Sequence, residues 1–594
     1  MSMNKIHITS LATALLMLTA CSFLDPLPDG SYNNENMEDH VKLLRGYVDK
    51  IYCDLLPVHY ANQYNLGLSA ATDDALYRVE TTSWRKFSNG TALMSENPFE
   101  SLWNTSYKAI NYANLFLEDN VGYNTRYILD EASDKAYRSF LQGSAYGFRA
   151  WFHFCLLKAF AGKGTDGRML GVPLMTQPSK IEDMDYSTIV RATLDETVRQ
   201  IRKDCDSAYF YLPYSNRDYP SDPQDNITPS GSALYKGLDK VAIDALRAEV
   251  FLFWASPAFN AEGDMERYDS AAFYASRVIR HKIEKEGALP GGFSVTKKFG
   301  WYECNSPEII WASRHSTAAD TEKCCYPKNF GGTANIVPTQ ELVDAFPMSN
   351  GYPISDPLSG YDPANPYLNR DARFYENIFY NGSQLRRFSN SQLMYTFNTA
   401  EGGNDAPGGS QVSPTGYYIR KFLWLGWNPF DAKPDTGYRC NYLLRWTRTC
   451  LVFAEAANML GGPMVEKYGY TAKQALSWLR TRANALNFDA YLETVSASNE
   501  DFQNLVKNEW RIETCFEGDR YYNLRRWARD ASELNMPLHG VKIRQGFSGG
   551  SDMEYDYTTV VEQLEYPSLW SPLPYMEIRR CPNMVQNEGW ETWR

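Results

Sequence analysis

Side chains suited to binding a polar ligand cluster in one stretch near the start of the chain. Asp73, Asp74, Trp84 and Arg85 lie there among polar residues. An indole ring can stack on the apolar face of a sugar, while carboxylates and guanidinium groups beside it hydrogen-bond to hydroxyls. For the two aspartates the sequence leaves two roles open, a helix cap and a polar ligand contact. We predict that these four residues contact a ligand.

A second group of aromatic side chains lies in the middle of the chain, where Gly, Pro, Asn and Ser are frequent. Loops of this length in a compact protein are usually functional or disordered, and the rings they carry favour function. The predicted ligand contacts here are Trp301, Tyr302, Trp424 and Trp427. The alternative for each ring is that it covers the core. Trp103 and Trp311 belong to a helical stripe and a strand, so we assign both to the core.

Two motifs typical of catalysis are missing from the sequence. They are an HExxH helix and a phosphate-binding glycine loop, and the cysteines and histidines form no ligand pair. His153 lies on a ring-rich helix and is predicted to be a buried core residue. Glycoside hydrolysis needs only two carboxylates, but the adjacent Asp73 and Asp74 point in different directions. We predict a protein that is not an enzyme, needs no cofactor and has no zinc site, with a surface hydrolase as an alternative. The sequence leaves a role for calcium open.

The amino-acid composition and net charge limit the classes of molecule that the protein is expected to bind. The chain of 594 residues has a net charge of −12 and a pI near 5.3, which argues against a nucleic-acid partner because phosphate binding needs a basic surface. It contains 41 Tyr, 29 Phe and 15 Trp, rings that suit either sugar stacking or a large helical core. After the first residues, no run is long and apolar enough for a membrane-spanning helix.

The N-terminal residues have the layout of a secretory signal. Lys5 supplies the positive start, Leu11–Leu18 the apolar centre, and Leu18-Thr19-Ala20-Cys21 resembles a bacterial lipobox. A lipobox implies cleavage before Cys21 and acylation of that residue, which would hold the mature chain at a membrane. An ordinary signal peptide with an incidental cysteine is the alternative.

Apolar residues at three-and-four spacing predict a mainly α-helical chain. The predicted helices are Met37–Tyr60, a helix opened by Pro98, Ser133–Phe160, Thr193–Leu212, Lys240–Phe259, Tyr268–Ile283, Arg445–Leu460 and Thr471–Ala485. Ser69–Asn97 is predicted to be a loop, and short strands are predicted at Glu308–Ala312 and Tyr418–Leu423. Small residues where neighbouring helices must approach indicate hairpins of the tetratricopeptide type.

These patterns suggest five successive parts of the chain. They are a signal (1–20), a lipidated N-terminus and tether (21–37), a helical part (38–286), an irregular loop-rich subdomain (287–440) and a C-terminal helical part (441–594).

Three further stretches resemble the SusD and RagB type of outer-membrane nutrient-binding lipoprotein. They are Asn508–Trp527 (NEWRIETCFEGDRYYNLRRW), Leu569–Ile578 with Asn583, Gln586, Asn587 and Gly589, and Pro338–Phe346 with Arg370–Phe374. Asn523 stands where the family more often has an acidic residue. The charged residues of the first stretch fall at helical spacings that allow ion pairs, and Gly518 suits a turn between two helices. We therefore predict that this stretch stabilises the fold and does not bind ligand.

The resemblance implies a SusD-like helical fold and a receptor on the outer surface of the outer membrane. Such a receptor would capture an oligosaccharide and pass it to a TonB-dependent transporter, with ligand contacts near the Trp84 stretch and in the middle loops. Two alternatives stay open, namely a binder of peptides or other non-sugar nutrients, and a scaffold lipoprotein that binds only its partner protein.

Overall fold

A computed structural model describes most of the chain after the N-terminal segment. The described residues are 41–56, 63–179, 184–215, 237–286, 306, 308–313, 316–317, 319–386, 394–423, 438–439, 442–484, 486, 488–546 and 553–592.

The described chain is mainly α-helical, which confirms the predicted fold class. The helices are α1 (Val41–Lys50), α2 (Gln63–Ala70), α3 (Ser83–Ser88), α4 (Glu100–Leu117), α5 (Val121–Asn124), α6 (Glu131–Phe160), α7 (Leu194–Tyr211), α8 (Lys240–Ala255), α9 (Met265–Glu286), α10 (Asp320–Cys325), α11 (Gln340–Ala345), α12 (Ala372–Asn377), α13 (Trp446–Gly461), α14 (Ala472–Asn484), α15 (Ala490–Val495), α16 (Asn499–Glu513), α17 (Asp519–Trp527) and α18 (Tyr575–Arg580). A π-helical turn, Ile51–Leu55, continues α1 and ends two residues before Pro57.

The long helices pack side by side in an order that largely follows the chain. Helix α4 packs on α6, α6 on α7, α8 on α9, and α9 on α13, which also contacts α14 and α16. Alanines let α8 and α9 approach their neighbours closely, and each is at most 1% exposed: Ala242, Ala245, Ala248, Ala255, Ala271, Ala272 and Ala275. This arrangement confirms the predicted tetratricopeptide-type hairpins.

Short antiparallel strand pairs connect distant parts of the chain. The strands are β1 (Ala75–Tyr77), β2 (Gly162–Lys163), β3 (Met169–Leu170), β4 (Ile309–Ala312), β5 (Ser316–Thr317), β6 (Ile336–Pro338), β7 (Ile378–Phe379), β8 (Gln384–Arg386), β9 (Met394–Thr396), β10 (Tyr418–Ile419), β11 (Tyr438–Arg439), β12 (Tyr442–Arg445), β13 (Glu466–Lys467), β14 (Tyr470–Thr471), β15 (Pro537–Gln545) and β16 (Met553–Gln563). Strand β1 pairs with β6 and β4 with β12, so the middle of the chain is bound to both helical parts. The predicted domain boundaries stay predictions.

Two predictions about local structure need correction. Ser69–Asn97 is not only loop, because it contains β1, α3 and a 3-10 turn at Met94–Glu96. Helix α3 begins where the hydroxyl of Thr82 accepts the backbone N–H of Arg85, an N-cap that holds a helix too short to show periodicity. The hairpin of β15 and β16, the longest strand pair described, was not predicted at all. Its signal is alternating burial along β15, which buries Leu538 and Gly540 and then, after the irregularity between Gly540 and Lys542, Val541 and Ile543.

The stretch of α16, the following turn and α17 has the predicted structural role. Gly518 starts α17 with a φ of 83°, a conformation that glycine adopts easily. Glu509, Glu513 and Glu517 are each at most 3% exposed. Their carboxylates hold cations from distant segments: Glu509 pairs with Arg373 and Arg480, Glu513 with Arg373 and Arg482, and Glu517 with Lys421 and Arg445. These pairs join the middle of the chain to the C-terminal helices.

Other residues assigned to the core also lie there. Trp103 is 4% exposed and Trp311 is fully buried. His153 is fully buried too, with Nδ1 lying 3.0 Å from the carbonyl oxygen of Arg149. Burial lowers the pKa of His153 to about 4, so its ring is neutral at pH 7.

Candidate ligand-binding site

Asp73 and Asp74 lie inside the fold, at the junction of β1 with α16 and α17. Asp73 accepts two hydrogen bonds from Arg520, through Nε and Nη2, each 2.8 Å long. Asp74 accepts a hydrogen bond of 2.8 Å from Nε of Arg511, and Nη2 of that arginine lies 3.0 Å from Oδ2 of Asp73. Burial alone would raise the pKa of Asp73, but the two guanidinium groups outweigh it and lower that pKa, whereas burial raises the pKa of Asp74. Direct contact of either aspartate with a ligand stays a prediction.

Arg85 is held mainly by the body of the protein. Its Nη1 donates to the carbonyl oxygens of Tyr77 at 3.0 Å and Arg78 at 2.9 Å, and its Nε donates to Glu562. The residue is 8% exposed. These bonds fasten α3 to β1 and β16, so the geometry gives Arg85 a role in positioning the neighbouring Trp84.

Trp84 is the predicted residue that reaches a cavity. Its indole contacts Tyr64 and Phe99 edge to face, with ring centroids 5.6 Å and 5.3 Å apart. Its other neighbour is Gly67 of α2, and no side chain larger than hydrogen fits there, because a Cβ would lie 2.6 Å from Cδ1 of the indole. The ring therefore has a fixed position, with part of its surface lining the cavity.

This cavity, called the Trp84 cavity below, has a volume of about 590 Å³. Its walls come from the π-helical turn after α1, from α2, α3, α4, α6, α13 and β12, and from the start of α17. Aromatic lining residues are Tyr64, Trp84, Trp151, Phe152, Tyr442 and Tyr522, and polar ones include Asn65, Ser101, Thr105, Lys158, Arg448 and Asp519. Helices thus present rings and hydrogen-bonding groups to one partly open space.

Lys158 gives the cavity a cation that forms no hydrogen bond or ion pair within the described part of the chain. Its ammonium lies 4.9 Å from the ring centroid of Phe154, 5.2 Å from that of Tyr522 and 5.8 Å from that of Trp151. Among the described residues it makes no hydrogen bond or ion pair. Three aromatic faces therefore hold the ammonium in place while its N–H donors stay available to a ligand.

The hydroxyls of Tyr64 and Tyr522 lie 2.9 Å apart and bridge the wall near Trp84. Cys155, also a lining residue, is a free thiol, and burial raises its pKa to about 11. That thiol is therefore protonated at pH 7 and serves as part of the wall rather than as a nucleophile.

The sequence reasoning missed most of the cavity. It placed His153 of the ring-rich helix α6 in the core and named no ligand contact on that helix, although Trp151 and Lys158 line the cavity. The available signal was a lysine within the otherwise apolar turn around Phe154 and Phe160. The predicted residues Trp301, Tyr302, Trp424 and Trp427, and the predicted lipidation site Cys21, lie outside the described residues.

The described residues also lack two features. None of the helices found there combines the length and apolarity needed to cross a membrane. Likewise, His, Cys, Asp and Glu side chains in that part of the chain form no group of three that could hold a metal ion.

Comparison with known proteins gives a consistent family assignment. Residues 307–590 match the model of the SusD family, and residues 22–241 match a family described as "Starch-binding associating with outer membrane". No curated protein matches the chain.

Solved structures resemble the chain over nearly its whole length. A SusD-like protein from Bacteroides fragilis is 23% identical, with a TM-score of 0.68, and covers 92% of this chain and 97% of its own. A SusD-like carbohydrate binding protein from the same organism is 17% identical, with a TM-score of 0.65 and coverage of 92% and 98%. A SusD superfamily protein from Parabacteroides distasonis is 18% identical, with a TM-score of 0.57 and coverage of 94% and 100%. Together the two family matches and this shared fold make the chain a member of the SusD/RagB family.

Proposed function

We propose that this protein binds an oligosaccharide in the Trp84 cavity and does no chemistry on it. The observation that carries the proposal is that one space of about 590 Å³ combines aromatic walls with an ammonium that has no hydrogen bond or ion pair to a described residue. Ligand sites usually enclose ~300–1,000 Å³ and join apolar walls to a few fixed polar groups. Indole and phenol rings suit the C–H face of a pyranose, and Lys158 suits its hydroxyls.

The relatives support a carbohydrate as the ligand class. One solved neighbour is described as a carbohydrate binding protein, and one family match carries the words starch-binding and outer membrane. We extend that ligand class to this chain, without naming the sugar or its linkage.

Location and delivery form a second layer of the proposal. Acyl chains on Cys21 would anchor the protein to the outer membrane, exposed at the cell surface, because several buried chains bind a bilayer almost permanently. The partner would be a TonB-dependent transporter that receives the sugar. Trp301, Tyr302, Trp424 and Trp427 are proposed as additional sugar contacts, and Asp73, Asp74 and Arg85 as residues that support the site.

Calorimetric titration of the mature protein with a panel of neutral oligosaccharides tests the cavity. Thr105 of α4 lines the cavity, whereas Asn104, its neighbour on the same helix, is exposed and does not. Thr105→Trp would place an indole in the space where the sugar is expected, so binding should fall below detection. Asn104→Trp adds the same ring outside the cavity and should bind like the wild type.

Equal binding by both variants would remove the cavity as the site and leave the middle-loop tryptophans, tested by Trp301→Ala. Binding of the transporter without any oligosaccharide binding would favour the scaffold alternative. Release of reducing ends from a polysaccharide would instead identify a hydrolase.

A further inference from the structure

A second groove lies between α16 and α17, apart from the Trp84 cavity. Its volume is about 330 Å³. Helix α16 contributes Asn504, Lys507, Asn508 and Arg511, which share one face of that helix at three-and-four spacing. Helix α17 supplies the facing wall with Arg520, Leu524 and Trp527. Three cationic side chains therefore line one groove.

The arginines of the groove are fixed from behind. Both use the edge formed by Nε and Nη2 to bind the buried pair of aspartates, and Nη2 of each lies within 3.0 Å of the same oxygen of Asp73. The two guanidinium groups consequently lie side by side. In the described part of the chain, Nη1 of Arg511 and Nη1 of Arg520 have no partner, and this nitrogen is on the edge opposite the aspartates. Each arginine thus has free donors on the side away from the buried pair.

Lys507 adds a third set of donors. Its ammonium lies 5.5 Å from the ring centroid of Trp527 and makes no ion pair with a described residue. The indole N–H of Trp527 already donates to Glu455 at 2.8 Å, and Arg526 lies 4.6 Å from the same ring, so this tryptophan is a wall and not a stacking surface. Glu533 is the carboxylate in the lining, and its Oε1 accepts the backbone N–H of Arg529.

The N–H donors of Lys507, Arg511 and Arg520 face a groove with few protein acceptors. They therefore suit a ligand group that offers several oxygen atoms. A carboxylate or a sulfate does so, and charge-assisted hydrogen bonds to it are about twice as strong as neutral ones. Most of the wall is made of side chains from two helices whose backbone groups bond within each helix, and the rest comes from Ala528, Glu533 and Leu534 after α17. Among the described residues no strand edge lines the groove, so it offers no strand pairing to an extended peptide. We propose that this groove is a second binding site, which takes the carboxylate or sulfate of an acidic sugar.

The proposal does not depend on the function of the Trp84 cavity. Titration with trigalacturonate, a sulfated trisaccharide and a neutral trisaccharide separates the two sites, in wild-type protein and in Thr105→Trp, which closes only the cavity. Trigalacturonate should bind Thr105→Trp as it binds the wild type, and its affinity should fall as salt is added. The tighter of the two acidic probes identifies whether a carboxylate or a sulfate is preferred.

Two substitutions locate the binding. Lys507→Gln should weaken trigalacturonate binding about tenfold or more, the loss typical of one charge-assisted hydrogen bond. Asn504→Asp adds a negative charge to the groove with almost no change of shape and should also weaken binding. The matched controls are Lys108→Gln and Asn104→Asp, which make the same changes at exposed positions of α4.

The proposal fails if all four variants bind trigalacturonate like the wild type. It also fails if the acidic and neutral probes bind Thr105→Trp equally well, or if neither acidic probe binds. Circular dichroism and melting temperature check that Lys507→Gln and Asn504→Asp are folded. Both variants should match the wild type, because neither side chain hydrogen-bonds to another described side chain.

Discussion

Adding one methyl group at Gly67 should move Trp84, because this glycine is the surface on which the indole lies. A Cβ at this position would meet Cδ1 of Trp84 at 2.6 Å, a distance that atoms in folded proteins do not tolerate. The indole cannot simply turn away, since Tyr64 and Phe99 hold its other sides with centroids 5.6 Å and 5.3 Å away. The Gly67→Ala protein must therefore push the ring toward the cavity or shift α2.

The magnitude follows from two opposing effects. Overfilling a packed region costs ~1–3 kcal/mol. Replacing glycine by alanine inside a helix contributes about 0.5–1 kcal/mol of stability. Gly46 of α1 isolates the second effect, because a Cβ there meets nothing within 4 Å. Gly46→Ala should thus stabilise the protein by about 0.5–1 kcal/mol, whereas Gly67→Ala should be less stable than Gly46→Ala by ~1–3 kcal/mol.

Urea unfolding followed by circular dichroism measures both free energies, and calorimetry on the same samples measures sugar binding. Gly67→Ala should lose affinity because Trp84 no longer occupies its position in the cavity wall. Gly46→Ala should keep the wild-type affinity. If the two alanine variants are equally stable and bind equally, Trp84 does not pack on Gly67 and the described cavity wall is wrong.

Three further outcomes are expected. Glu517→Ala leaves buried cations without their counter-charge and should lower the free energy of unfolding by about 3–5 kcal/mol. Glu588→Ala breaks an exposed ion pair and should change that free energy little. Equal effects of the two substitutions in urea unfolding would contradict the buried network. Burial alone would raise the pKa of Glu513, but the surrounding guanidinium groups outweigh it and lower this pKa from 4.5 to about 2. The contribution of Glu513 to folding stability is therefore complete above pH 4.5 and is lost as the pH falls toward 2. Acid titration of stability should show a shallower loss in Glu513→Gln, and an unchanged slope would refute the assignment. Lys158→Met keeps the contacts with the aromatic rings but removes the N–H donors of the ammonium. It should weaken oligosaccharide binding roughly ten- to hundredfold while the protein stays folded. Unchanged affinity in calorimetry would show that the ammonium does not bind the sugar.

The long helices could be predicted from the sequence because their burial is periodic. Helix α6, predicted at Ser133–Phe160, spans Glu131–Phe160, and the alanines of α8 and α9 mark the faces that touch. Short elements such as α3 could not be predicted from the sequence. Helix α3 begins at the single N-cap residue Thr82, and no repeating pattern of apolar residues marks the helix.

The candidate site was less predictable for a physical reason. Asp73 and Arg520 are 447 positions apart, and their pairing follows from tertiary packing that no local spacing records. Trp84 was predicted from its residue type and its loop, yet its orientation depends on Gly67 and Phe99. The ammonium in the same cavity belongs to a helix for which no ligand contact was predicted. Residue chemistry therefore indicated what kind of ligand to expect, while the fold determined which residues can reach it.

A crystal structure of the mature protein with its tightest-binding oligosaccharide tests the central claim most directly. The account predicts sugar density in the Trp84 cavity, with a pyranose ring against an aromatic wall and a hydroxyl within hydrogen-bonding distance of Lys158. Sugar density bound elsewhere on the protein, with none in the cavity, would contradict it.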